Sequence, residues 1–112
     1  MQYNKVTKEE IKQKFIKHNS YFIGVSSKPL ADDVILNMIS TIPLSHNIKL
    51  RTGKVQSNGI IFSDGSVLEL KDNQYNKYKV FQYDDSNIYV VHQLSDSGTY
   101  GIMSKYLYYY IF

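Results

Sequence analysis

One change of hydrophobic period constrains this chain more than any other feature. Apart from a short β-like run at residues 20–25, the apolar side chains recur at helical spacing as far as residue 42, and from residue 47 onward they alternate. A chain that switches once in this way builds helices first and antiparallel strands afterwards, which is the α+β plan. With 112 residues, it is expected to form one globular domain over residues 1–112. That length also buries enough surface to fold without a metal or disulfide staple.

The first helix has a clear start. Thr7-Lys8-Glu9-Glu10 reads as a capping box, flanked by Val6 and Ile11 where a hydrophobic staple would close. The spacing predicts a helix to about His18 that buries Ile11, Phe15 and Ile16 on a narrow face, and so packs at an edge. Ser20–Val25 reads as a short strand. A second helix is predicted from about Pro29, capped by Ser27 or Lys28, with Asp32 and Asp33 suiting the positive end of its dipole. Leu30, Ala31, Val34, Ile35, Met38, Ile39 and Ile42 then recur at helical spacing until Pro43 stops the run, so this is expected to be the main core helix.

Beyond residue 47, Ile48 and Leu50 alternate with Lys49 and Arg51. Asn58-Gly59 and Asp64-Gly65 are hairpin signals, because a type I′ turn needs positive φ at both central positions. Asp84-Asp85-Ser86-Asn87 and Ser95-Asp96-Ser97-Gly98 are further turn clusters between apolar runs, the last run being Ile102–Phe112. The expected architecture is therefore two N-terminal helices with a short intervening strand, packed on an antiparallel meander of about five or six strands.

The chemistry-bearing residues are few. With no cysteine, the chain has no disulfide framework, thiol nucleophile, zinc knuckle or iron–sulfur cluster. His18, His46 and His92 have no partner at metal-ligand spacing. Helix starts explain Glu9-Glu10 and Asp32-Asp33, and a turn explains Asp84-Asp85. Thr52-Gly53-Lys54 resembles the end of a phosphate loop only locally, without the preceding glycine or a following helix. The expectation is a protein with no cofactor, no metal and no catalytic activity. The enzymatic alternative rests on His92, with Asp84 or Asp96 as its orienting partner. No apolar run approaches the roughly 20 residues that cross a bilayer, and the polar start Met1–Lys5 does not read as a secretory signal. A soluble, cytoplasmic protein with no membrane association is expected.

Two readings of a binding face compete. The formal charge of +3 is the remainder of two basic segments, residues 1–20 and 49–54, and a more acidic body. A nucleic-acid interface would use Lys8, Lys12, Lys49, Arg51 and Lys54, with tyrosines as stacking platforms. Against it, Lys8, Lys12, Lys14 and Lys17 spread around the first helix, and Arg51 is the sole arginine. A solvated basic face accounts for the same pattern.

The tyrosines point elsewhere. Nine of the eleven follow residue 70, and Tyr106–Phe112 is aromatic or aliphatic on both faces of a strand. A terminal strand of this kind leaves one face for a partner, so a protein is expected to dock through Tyr83, Tyr89, Tyr100, Tyr106, Tyr108 and Tyr110. The same strand offers a homodimer edge. Cross-strand packing is the competing use of these rings. Twelve lysines against one arginine and twelve isoleucines against one alanine reflect A/T-rich codons. Bacterial phages and mobile elements with A/T-rich genomes encode many small single-domain proteins. The functional expectation is a small non-catalytic binding protein, such as a phage- or mobile-element-encoded inhibitor of a bacterial nuclease or defence system.

Overall fold

In the computed structural model, which describes residues 3–42, 51–56 and 59–112, the Glu10 amide donates to the Thr7 hydroxyl at 3.1 Å. That bond starts α1 (Lys8–Lys17) where the capping box placed it. The chain before it forms β1 (Tyr3–Val6), a short edge strand that the alternation did not reveal. β2 (Ser20–Ser26) follows α1, and α2 (Asp32–Thr41) follows β2. The second helix begins later than Pro29. Its cap is Ala31, whose side chain makes no capping bond, and Ser27 and Lys28 lie outside it. Pro43 falls outside the described residues.

Six more strands complete the described chain. β3 (Gly53–Gln56), β4 (Gly59–Phe62) and β5 (Val67–Glu69) form a three-stranded antiparallel sheet. β6 (Asn76–Tyr83), β7 (Ile88–Asp96) and β8 (Ile102–Ile111) are the centre of a five-stranded antiparallel sheet in the order β1-β6-β7-β8-β2. The expected single meander is thus two sheets, with eight strands among the described residues. They meet where Ser20 and Arg51 exchange backbone hydrogen bonds of 3.0 and 3.3 Å. Gln56 pairs with Gly59, which makes Gly59 a strand residue and not a turn residue, while Asn58 lies outside the described residues. Asp64-Gly65 does turn, with Gly65 at φ +87°, and Asp84 adopts φ 45° in the β6–β7 turn.

The five-stranded sheet is covered on both faces. On one face, Ile11 and Phe15 of α1 join Ile60, Phe62, Leu68 and Leu70 over Tyr78, Val80, Tyr89, Val91, Tyr109 and Ile111. On the other, Ile35 of α2 packs with Tyr83, Ile88, Val90 and Tyr108. The helices therefore exchange their expected roles. α1 inserts two fully buried side chains, together worth roughly 4 kcal/mol of apolar burial, whereas α2 buries Ile35 alone and leaves Val34 and Leu36 exposed. Apolar spacing identified both helical faces, but only the sheet beneath decides how deeply each sinks. Among the described residues, no helix is long and apolar enough to cross a membrane.

Candidate functional site

Side chains alternate between the two faces of a strand, so the strand registers sort the sheet into rows. On the face that carries α2, the row Lys5–Phe81–Val90–Tyr108 is capped by the chain between β2 and α2, where the Leu30 amide donates to the Tyr108 hydroxyl at 3.0 Å. The next rows toward the β7–β8 turn are Lys79–His92–Tyr106–Ser26, then Lys77–Leu94–Ser104, then Asp96–Ile102. Their central side chains His92, Leu94, Ser104 and Tyr106 are half-buried, and Ile102 is exposed.

This end of the sheet also has an open strand edge. β8 pairs with β2 only from Tyr106 to Ile111, because the chain turns away after Ser26. The Asp96 amide points toward β6, donating to the Tyr75 carbonyl at 2.7 Å, so Asp96 and Ile102 are a non-hydrogen-bonded pair across β7–β8. Alternation then turns the N–H and C=O groups of Ile102 and Ser104 outward, where no further strand among the described residues receives them. Around this edge, Tyr100 is 87% exposed, Ile102 71% and Met103 64%. Gly98 and Gly101, with φ of +73° and +83°, let the turn that carries Tyr100 close.

Behind the edge, the imidazole of His92 stacks on the ring of Tyr106, with centroids 4.1 Å apart and planes within 4°. His92 Nε2 lies 3.4 Å from the Ser104 hydroxyl. Burial first, and then the charge of Lys79, lowers the His92 pKa, which favours the neutral ring. The stack walls a cavity of about 130 Å³ that is completed by Tyr3, Pro29, Phe81 and Val90. Tyr3 is fixed there by donating to the Leu30 carbonyl at 2.8 Å, and burial pushes its phenol pKa up. Larger depressions of about 530 Å³ along α1 and about 470 Å³ between β1 and β6 are lined mainly by charged and polar residues.

The predicted docking tyrosines divide by depth. Tyr83, Tyr89 and Tyr108 are buried, so these three belong to the core and offer no contact surface. The Tyr83 hydroxyl donates to Asp32 at 2.8 Å, and burial together with that bond raises its pKa to about 12. Tyr110 is half-buried with its ring 5.0 Å from that of Phe112. Tyr100 and Tyr106 remain at the uncovered end. The C-terminal strand is flanked by β7 and β2 along Tyr106–Ile111, which among the described residues leaves only Ile102–Lys105 as an edge for any strand pairing. The length mismatch between the predicted runs 102–112 and 20–25 was the one sequence signal for that overhang.

The predicted nucleic-acid residues are largely engaged within the fold. Lys8 Nζ sits 2.8 Å from Asp72 and Lys12 Nζ 3.3 Å from Glu9. Arg51 Nη1 lies 3.1 Å from Asp64 Oδ2 and donates to the Ser66 hydroxyl at 2.6 Å. Hydrogen bonds from Ser66, with Arg51 adding to them, hold the Asp64 carboxyl down to about 2. Lys54 is exposed on β3, and Lys49 and His46 lie outside the described residues. Among the described residues, no group of three or more His, Cys, Asp or Glu side chains is placed to hold a metal ion. No family model matches the chain, and no curated protein or solved structure matches it.

Proposed function

We propose that this is a small non-catalytic binding protein that docks on another protein through the uncovered end of its five-stranded sheet. The observation that carries the reading is the β7–β8 hairpin, which presents Tyr100, Ile102 and Met103 to solvent beside a strand edge that no other described strand pairs. Exposed apolar side chains on a bare edge invite association, and sheets that avoid it protect their edges with charge, proline or a covering segment. Here Lys105 is the sole charge within the overhang Ile102–Lys105. Strand addition supplies affinity through the main chain, and aromatic anchors such as Tyr100 supply interface energy.

The narrower reading, an inhibitor of a bacterial nuclease or defence system encoded by a phage or mobile element, is supported by the lysine- and isoleucine-rich composition, which A/T-rich codons favour, and by the short chain. A cytoplasmic setting accords with the absence of cysteine. The nucleic-acid reading is disfavoured by the internal ion pairs of Lys8, Lys12 and Arg51. The test is affinity capture from bacterial lysate with the parent chain and with a Tyr100→Ser, Ile102→Thr, Met103→Ser variant. A partner retained by the parent and lost from the variant is the expected result. Equal recovery by both chains contradicts the reading.

A further inference from the structure

The docking reading leaves the partner's chemistry open, and the charges beside the His92–Tyr106 stack bear on it. Lys5 lies across from Phe81, Lys79 across from His92, and Lys77 two residues further along the same strand. Alternation sends all three to the face that holds the cavity. Each is exposed, and among the described residues none forms an ion pair, although Lys77 is near enough to Asp72 to help lower its carboxyl. Two carboxylates toward this face are engaged within the fold. Asp32 accepts from the Tyr83 hydroxyl in the first turn of α2, and Asp96 accepts from the Gly98 amide in the hairpin turn.

Between the lysines and the open β8 edge lies the apolar cavity of about 130 Å³, walled by Tyr3, Pro29, Phe81, Val90, His92 and Tyr106. That space suits one branched aliphatic side chain.

We propose that the partner protein presents an acidic extended segment, which places one aliphatic side chain in this cavity and its carboxylates against Lys5, Lys77 and Lys79. The proposal rests on the docking reading above and adds the partner's charge and anchor to it. Unpaired cations beside a desolvated anchor pocket provide steering and specificity, while the anchor provides the buried area. A single-stranded nucleic acid matches the charge but not the rings. His92 and Tyr106 already turn a face to each other, and the chain's sole arginine is held at the other face of the sheet.

The test is selection of a random-peptide display library on the full chain, followed by titration of the strongest synthetic peptide and of oligo(dT). The expected peptides carry Asp or Glu on both sides of Leu, Ile or Val. Lys77→Glu with Lys79→Glu is expected to weaken the synthetic peptide roughly tenfold or more, and added salt to weaken it further. The milder pair Lys77→Gln with Lys79→Gln, expected to give a smaller loss, guards against a folding defect.

Peptides without acidic bias whose binding still depends on Tyr100 and Ile102 overturn the acidic segment while leaving the docking reading intact. Peptides indifferent to both the lysines and the hairpin overturn both. A library that yields no binder counts against the acidic segment. Oligo(dT) binding that displaces the peptide and is lost on charge reversal reassigns the face to nucleic acid.

Discussion

The guanidinium of Arg51 lies 4.1 Å from the ring centroid of Phe62, at the point where the two sheets join. Phe22 and Tyr109 flank it at 5.8 and 5.7 Å, and its side chain is only 11% exposed. The sole arginine of the chain is thus a structural cation. Its backbone pairs with Ser20 while its fork holds Asp64 and Ser66 at the β4–β5 turn. Arg51→Ala is expected to cost about 2–3 kcal/mol, by loss of the cation–π contact and the charge-assisted bonds, in urea unfolding. Arg51→Lys keeps the charge but not the flat fork and is expected to cost about 1–2 kcal/mol. A loss below about 0.5 kcal/mol for either variant places Arg51 at the surface instead.

Tyr106 and Tyr108 stand two residues apart on the same face of β8, yet Tyr108 is fully buried and Tyr106 is not. The Tyr108 hydroxyl accepts from the Leu30 amide at 3.0 Å and lies 3.2 Å from the Ser26 hydroxyl, which donates to the Lys28 carbonyl. Tyr108→Phe leaves the amide without its acceptor and is expected to cost about 1–2 kcal/mol in thermal or urea unfolding. Tyr100→Ser is expected to change stability by less than about 0.5 kcal/mol, because that ring is almost wholly in solvent. Equal costs at the two positions would contradict the division into core and surface tyrosines.

Local chemistry made some of this fold legible. Thr7 and Glu10 announced the start of α1, and Asp64-Gly65 and Asp84–Asn87 announced turns that the structure contains. These signals act over three or four residues, so the sequence displays them directly. The depth of each tyrosine depends on distant segments. Tyr108 is roofed by residues near position 30, and the open edge of β8 exists because β2, some eighty residues earlier in the chain, ends at Ser26. No periodicity in 102–112 carries that information. α2 illustrates the same limit, since its apolar face is strong in sequence but only Ile35 sinks into the core.

Gly59 is required for close approach. A Cβ built there falls 2.0 Å from the Leu68 carbonyl oxygen and 2.9 Å from Glu69 Cα, both backbone atoms of the paired strand. Gly59→Ala is expected to destabilise by about 2 kcal/mol or more, because backbone cannot swing aside as a side chain does. Gly24→Ala on β2 meets nothing within 4 Å and serves as the control, with a change below about 0.5 kcal/mol. Comparable midpoints for Gly59→Ala and the parent chain in urea would show that the β4–β5 pairing is looser than described.

His92 titrates in a half-buried setting beside Lys79, which lowers its pKa below the ordinary value of about 6.5. As pH falls from 7, the unfolded chain takes up this proton before the folded one does. The His92 contribution to stability therefore declines below about pH 6.5 and levels off once the folded-state pKa has been passed. NMR titration of the His92 ring is expected to give a midpoint under about 6.5. A midpoint above that value would reveal an acidic partner for the imidazole and revive a catalytic reading of His92.

The docking claim meets its most direct test in site-specific photocrosslinking. A benzophenone side chain is introduced at Met103, on the open edge, and separately at Gln13, exposed on α1. After irradiation in a bacterial host, the Met103 position is expected to yield one discrete protein adduct, and Gln13 none. Adducts at Gln13 and none at Met103, or no discrete adduct at either position, would contradict a docking site at the uncovered end of the sheet.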